Sequence, residues 1–392
     1  MLSRFGGVGE SESCPLPQAR GRVLAGAVSA PFDLPPFANS AMDGYAFHRD
    51  DLAAAAGAGL TLAGRALAGH PYRQAVPRGQ CVRIFTGAPL PPGTDTVVMQ
   101  EQAVVNGDRV VWREPLRAGG NVRPAGDDTT AGTLLLDRGR RLGAVELGLL
   151  ASAGVATVSV TRKLRVAHFS SGDELVPLGA PLEFGQIYDS NRHLLLGLLD
   201  SPLLETRDLG IVPDRREALA AALREASAWA DLVVSSGGVS VGDADLVPAV
   251  LAELGRVEFW KIAVKPGKPF AFGRIGDAWF CGLPGNPVAV LVAFLQLVRP
   301  ALLRLAGADP APLLRLPAVT TAPLRKSPGR MEFQRGRFAT DGAGRLTVTP
   351  CGAQGSHRLS AAAQANCLIV LPEASAGAAP GETVEIEPLA GL

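Results

Sequence analysis

Cysteine is scarce and unpaired in this 392-residue chain. Its five cysteines, Cys14, Cys81, Cys281, Cys351 and Cys367, form no C-x-x-C pair. The five histidines include no two at the i, i+3 or i, i+4 spacing of a zinc-binding helix. A disulfide scaffold or a structural zinc site is therefore not expected. Charge of one sign is also missing: 38 Lys+Arg face 37 Asp+Glu, so there is no broad basic field to hold nucleic acid or anionic lipid, and small ligands are favoured. The N-terminus lacks a basic segment followed by an apolar one. The purest apolar run, residues 288–295, is far short of the roughly 20 residues that span a bilayer. A soluble, cytoplasmic protein is expected.

Lysine is rare as well. Only five of the 38 basic residues are lysines, and three of them, Lys261, Lys265 and Lys268, lie within eight residues. Where arginine is the default cation, such a cluster suggests sites that want a compact ammonium instead of a planar fork.

What the chain has is bulk and turns. With 47% apolar residues it can bury sizeable cores, and its length suggests roughly two to three domains. Glycine (46) and proline (31) make up about a fifth of the residues, enough for many loops and too little for a low-complexity chain.

Residues 164–307 carry the clearest pattern, with short buried strands alternating with helices. The strand at 164–169 runs into Ser170-Ser171-Gly172-Asp173-Glu174-Leu175, and Asp189-Ser190-Asn191 supplies a helix cap. Asp214 is placed to cap an Ala- and Leu-rich helix over 215–229. The strand at 231–235 leads into Ser236-Gly237-Gly238, and strand-like pieces at 257–264, 269–275 and 278–282 precede Leu283-Pro284-Gly285-Asn286-Pro287 and an apolar helix to about 305. This alternation implies a parallel, doubly wound α/β sheet, whose ligands bind beyond the carboxyl ends of the strands, where three of these loops sit. Residues 45–136 read as a compact β module. The segment at 144–153 looks helical and packs back towards the N-terminal region as a discontinuous domain, and the chain from about 316 onward reads as a small β-barrel or sandwich.

Several motifs carry chemistry. Ser235, Ser236, Gly237 and Gly238, with Gly242 and Asp245, put small residues where a strand meets a loop and a helix N-terminus, a natural anion cradle. Lys261 and Lys265, four apart at a period of two, fall on one face of a strand, with Lys268 on the Pro-Gly turn beyond. Two ammonium groups beside such a cradle suit a pyrophosphate or an oxyanion. Asp43, Asp127, Asp128, Asp173, Glu174, Asp214, Asp243 and Asp245 all sit on loops, and Mg²⁺ prefers a few carboxylates completed by phosphates and water. Each could equally cap a helix, Asp214 most clearly. Thr86 and the Gly355-Ser356-His357-Arg358 segment are small polar turns, and His357 reads as a structural or surface residue.

In order along the chain, P-F-A-N-S-A-M-D-G-Y-A, R-I-F-T-G-A-P, R-P-A-G-D-D, S-S-G-D-E-L, S-S-G-G-V-S-V-G-D-A-D, F-W-K-I-A-V-K-P-G-K-P and L-P-G-N-P resemble the molybdopterin molybdenumtransferase family, which includes the E domain of gephyrin. Ser235 stands where many members have Thr. The resemblance implies four parts: a discontinuous elongated domain at 1–44 plus 137–163, a β-rich module at 45–136, an α/β molybdopterin-binding domain at 164–307 and a C-terminal β-barrel at 308–392. It implies a homodimer whose cleft joins the α/β domain of one subunit to the β module of the other, and leaves room for transient contact with molybdopterin adenylyltransferase.

The implied reaction inserts molybdate into adenylylated molybdopterin with Mg²⁺-dependent loss of AMP. Carried onto this sequence, the catalytic set is Asp43, Thr86, Glu174, Asp214, Asp245, Lys261 and Lys265. The substrate-binding set is Ser235, Ser236, Gly237, Gly238, Gly242, Lys268, Pro284, Asn286, Pro287, Arg335 and Ser356, and the metal set is Asp43, Asp127, Asp128, Asp243 and Asp245. Molybdopterin adenylyltransferase would need only residues 164–307. A gephyrin-like scaffold without activity would not need the Asp and Lys set.

Overall fold

The computed structural model describes residues 1–112, 115–237, 247–308 and 312–389. By compactness the chain divides into two units, Gly26–Arg138 with Ala144–Thr157, and Met1–Ala25 with Gly139–Gly143 and Val158–Leu392.

The smaller unit is built on a six-stranded sheet. Its strands are β1 (Gly44–Phe47), β2 (Leu60–Ala66), β3 (Gln80–Ile84), β4 (Thr96–Met99), β5 (Ala103–Asn106) and β6 (Arg109–Trp112), in the order β4-β1-β3-β2-β6-β5. Alternation along the strands covers both faces: Tyr45, Phe47, Leu60, Cys81, Val98 and Trp112 pack on one side, and Ala46, Ala66, Val82, Ile84 and Val97 on the other. At the first residue of β1 a side chain has no room. A Cβ on Gly44 would lie 1.8 Å from the Val98 carbonyl oxygen, so this position of the A-M-D-G-Y-A segment is steric in origin.

In the larger unit, β7 (Leu164–Ser171), β8 (Leu204–Val212), β9 (Leu232–Ser236), β10 (Gly255–Lys261), β11 (Pro269–Ile275) and β12 (Ala278–Leu283) form a sheet ordered β8-β7-β9-β12-β11-β10. The first four run parallel. The last two are antiparallel additions, because the two residues between β11 and β12 are too few for a crossover. Apolar clusters cover both faces, as a doubly wound sheet requires. The helices include α1 (Ser190–Leu198), whose N-cap Asp189 accepts the Arg192 N–H, and α2 (Arg216–Trp229), which buries Leu219, Leu223 and Ala226.

The helical run from Pro287 to Leu305 passes through a π-turn at Phe294–Val298. It is long and apolar enough to cross a membrane by composition, but 67% of its most apolar window is buried inside the unit, where it fills the core beneath the sheet.

The C-terminal strands β13 (Leu316–Thr320), β14 (Met331–Thr340), β15 (Leu346–Pro350), β16 (Cys367–Leu371) and β17 (Thr383–Pro388) pair in the cycle β14-β15-β13-β17-β16-β14, a closed five-stranded barrel. Its core holds Val348, Ile369, Leu371 and Ile386. Between the sheet and the barrel, Val264–Lys265 leaves the sheet and pairs in parallel with Met331–Glu332 of β14. The expected single strand over 257–264 therefore ends at Lys261, and Lys261 and Lys265 do not share a strand face. The chain is drawn off to the barrel, while Ile262 N–H closes the turn on the Lys268 carbonyl at 2.9 Å.

Candidate active site

Parallel strands expose the backbone at their carboxyl ends, and here β7, β9 and β12 end on one side of the sheet, opposite β14 of the barrel. The space between them is a cleft of about 1480 Å³ lined wholly by residues of the larger unit.

Its floor is made by the end of β9. Gly237 has φ +85°, its N–H donates to the Leu283 carbonyl at 3.2 Å, and a Cβ there would lie 2.3 Å from the Ser171 carbonyl oxygen, so only glycine fits. Ser236 borders the cleft. The Asn191 amide donates to Ser236 Oγ at 2.8 Å and to the Gly285 carbonyl at 2.7 Å, tying β9 to the L-P-G-N-P loop. Pro284, Asn286 and Pro287 of that loop line the cleft. Ser235 does not: it is fully buried on the opposite face of β9 with its hydroxyl unpartnered, because neighbouring residues of a strand point to opposite sides. Gly238, Gly242, Asp243 and Asp245 lie outside the described residues.

One wall is acidic. Ser171 donates its hydroxyl to the Asp214 carboxylate, and the Asp214 N–H donates to Asp173 Oδ1 at 3.1 Å. Asp214 is thus not the helix cap expected for it. Arg215 occupies the N-cap of α2 without a side-chain cap bond, and the Asp214 side chain lines the cleft beside Glu174.

The facing wall is cationic. Lys265 Nζ lies 3.2 Å from Glu332 Oε2, a carboxylate 5% exposed whose other oxygen accepts from Gln334 at 3.0 Å. Lys268 is exposed on the same wall, and the Lys261 side chain lies outside the described atoms. Arg335 is buried, donating Nη2 to the Ala353 and Gly355 carbonyls at 3.2 and 3.1 Å, with Nε unpartnered. Burial holds its pKa below the usual arginine value. Those bonds set the loop that brings Ser356 and His357 to the cleft, and the Ser356 carbonyl accepts the Val288 N–H at 3.0 Å.

Sequence reasoning missed several lining residues. Asn191 was legible only as part of a cap. Arg325 and Arg330, common arginines in an irregular stretch, gave no periodic signal, and His357 was set aside as a surface residue although it borders the cleft.

In the smaller unit, both the N–H and the hydroxyl of Thr86 donate to Asp43 Oδ1, each at 2.8 Å. The Thr86 N–H foremost, then its hydroxyl, with a smaller contribution from Arg83, holds the Asp43 carboxyl below the usual carboxylate range. Asp127 and Asp128 are exposed on a turn fixed by the Asp127 N–H to Pro124 and Asp128 N–H to Leu34 carbonyls, at 3.3 and 3.0 Å. Among the described residues, no three His, Cys, Asp or Glu side chains come together as a metal-holding group.

Three family models match the chain in succession. They are the MoeA N-terminal region (domain I and II) over residues 1–154, the "probable molybdopterin binding domain" over 167–304 and the MoeA C-terminal region (domain IV) over 317–389. Over 97% of its length the chain is 45% identical to a molybdopterin molybdenumtransferase of Haemophilus influenzae, of which 94% is covered. It is 32% identical to gephyrin of Dictyostelium discoideum over 93% of this chain and 57% of that protein. A solved molybdopterin biosynthesis MoeA protein from Pyrococcus horikosii superposes with a TM-score of 0.81 at 32% identity, covering 100% of this chain and 97% of the other.

Proposed function

The chain belongs to the molybdopterin molybdenumtransferase family and is a transferase of molybdenum cofactor biosynthesis; on that premise we propose that its cleft takes adenylylated molybdopterin and molybdate and exchanges AMP for molybdenum. The observation that carries this reading is the juxtaposition, in one cleft, of a glycine-lined strand end, the Glu174 and Asp214 carboxylates and the Lys265 and Lys268 ammonium groups. A pterin bearing a pyrophosphate and an oxyanion needs all three.

The residues divide the work by chemistry. The turn at Ser236 and Gly237 offers small groups and close backbone approach to a phosphate. Lys265, a point charge half exposed to the cleft, can meet a tetrahedral oxyanion from several directions, and Lys268 can neutralise the pyrophosphate. Arg335 and Ser356 would border the oxyanion, and Lys261 joins this set from the family resemblance. Mg²⁺ keeps waters and takes one or two carboxylates together with substrate phosphates. Glu174 and Asp214, with Asp43, Asp127, Asp128, Asp243 and Asp245 as further donors, fit an ion completed by the pyrophosphate better than a site built from protein alone. When bound, the ion would neutralise charge developing on the departing AMP.

The proposal extends to the assembly. The subunit has four parts, 1–44 plus 137–163, 45–136, 164–307 and 308–392, and acts as a cytoplasmic homodimer in which Asp43 and Thr86 serve the cleft of the partner copy. Exposed apolar side chains support this: Phe32, Phe37 and Met42 precede Asp43 in sequence, and Leu178, Leu182, Phe184, Ile187 and Tyr188 lie in the segment bordering the cleft. A transient docking of molybdopterin adenylyltransferase would deliver the labile nucleotide.

Supplying molybdopterin with ATP separates this reading from adenylyl transfer. The expected result is no adenylylated pterin from ATP, and AMP release only from pre-formed adenylylated molybdopterin when molybdate is present. Adenylylation of the pterin would reverse the assignment.

A further inference from the structure

The Asp43–Thr86 pair rests on a side chain to which the reaction gives no role. Arg83 lies on β3, opposite Tyr45 of β1. Its Nη1 donates to the Gly44 carbonyl at 2.9 Å and its Nη2 to the Gln100 side-chain oxygen. The Gln100 N–H in turn donates to the Asp43 carbonyl at 2.9 Å. The guanidinium carbon lies 5.1 Å from the Tyr45 ring centre and 4.7 Å from that of Phe85, within cation–π range of both. The two nitrogens therefore reach both sides of residue 43: the carbonyl that follows it, and the residue that holds its own carbonyl. The carboxylate itself is held by Thr86, in the turn that follows β3, three residues after Arg83.

Gly44 leaves the loop no slack, since it approaches Val98 too closely for any side chain. The Arg83 fork ties down the backbone on either side of residue 43. We infer that Arg83 is a positioning residue that fixes the Asp43 loop against Thr86, an inference that rests on the reading that Asp43 acts in the transfer reaction. A lysine cannot replace it, because one ammonium lacks the planar fork that bonds Gly44 and Gln100 while lying over two rings.

The test uses the full-length protein with Arg83→Met and Arg83→Lys, each alone and combined with Asp43→Asn. Misplacement of a reacting group by about an ångström costs up to about 100-fold, so Arg83→Met should slow molybdate-dependent AMP release by about 10- to 100-fold with KM for both substrates within about 2-fold of wild type. Arg83→Lys should recover little of that loss. In the Asp43→Asn background the same substitution should cost less than about 2-fold more, because residues acting as a unit are not additive. Backbone hydrogen exchange at the Thr86 amide should speed by about tenfold or more in Arg83→Met while the amides of β1 and β3 stay protected. A fully additive double variant, a KM effect that marks direct substrate contact, or an unchanged Thr86 amide would each overturn the inference. If the wild-type protein releases no AMP, the functional reading fails, and the Thr86 exchange still decides whether Arg83 holds the loop.

Discussion

Asp214 shows how little a residue type fixes without its neighbours. Its position immediately before the expected helix over 215–229 is that of a cap, yet α2 starts one residue later, Arg215 takes the N-cap and the Asp214 carboxylate meets Ser171. Asp214→Asn should therefore cost under about 1 kcal/mol of stability, since only one exchangeable hydrogen bond changes. Molybdate-dependent AMP release should fall by about 100-fold or more, as expected when a charge serving the transition state is removed. Thermal unfolding and single-turnover kinetics check the two halves, and a large loss of midpoint would make the residue structural after all. Lys265 behaves in the opposite way. Its ammonium is half exposed, but its partner Glu332 is buried, so Lys265→Met leaves a carboxylate with Gln334 for support. After allowance for solvent screening, a loss of about 1–2 kcal/mol in chemical denaturation is expected, restored in part by adding Glu332→Gln.

At the scale of elements, the α/β sheet was legible because short apolar runs that end in small polar residues alternate with amphipathic helices, as at Leu232–Ser236 and Arg216–Trp229. The path of the lysine turn was not legible. Nothing local in Lys261–Lys265 says that Val264–Lys265 pairs with a strand some 70 residues later, and that non-local pairing sets Lys265 beside Glu332. Ser235 illustrates a subtler limit. The Ser235-Ser236 pair marks a strand end, but only the strand's register shows which hydroxyl meets the cleft and which is buried.

An element-scale prediction follows from the start of β9. Just before it, Asp231 accepts two hydrogen bonds from Arg162, at 2.7 and 2.8 Å, and one from the Arg165 N–H at 2.8 Å. Burial raises the Asp231 pKa, but these bonds outweigh it and hold the carboxyl below its ordinary value. A depressed carboxyl contributes stability that is present above its unfolded-state pKa, near 4, and lost as pH falls through the folded value. Wild-type stability should thus decline on acidification below about pH 4. Asp231→Asn should be less stable at neutral pH and show a shallower acid decline. An equal loss of unfolding free energy between pH 7 and pH 3 in wild type and Asp231→Asn, each measured by denaturant titration, would contradict the role given to this pair.

The whole molecule divides the proposed chemistry between two units, with Asp43 and Thr86 on one and the cleft on the other. If a partner copy completes the cleft, mixing Asp43→Asn subunits with Asp214→Asn subunits should restore activity, because half of the clefts in a mixed dimer carry both carboxylates. No recovery, with subunit exchange shown by mass, would place both residues in one chain's site. The central claim is that the cleft exchanges AMP for molybdenum, and its most direct measurement is a single turnover of adenylylated molybdopterin with Mg²⁺, followed at once for AMP and for molybdenum bound to the pterin. AMP and molybdenum-loaded pterin should appear together in equal amounts, and only when molybdate is supplied. AMP released at the same rate without molybdate, or molybdenum bound without loss of AMP, would contradict the account.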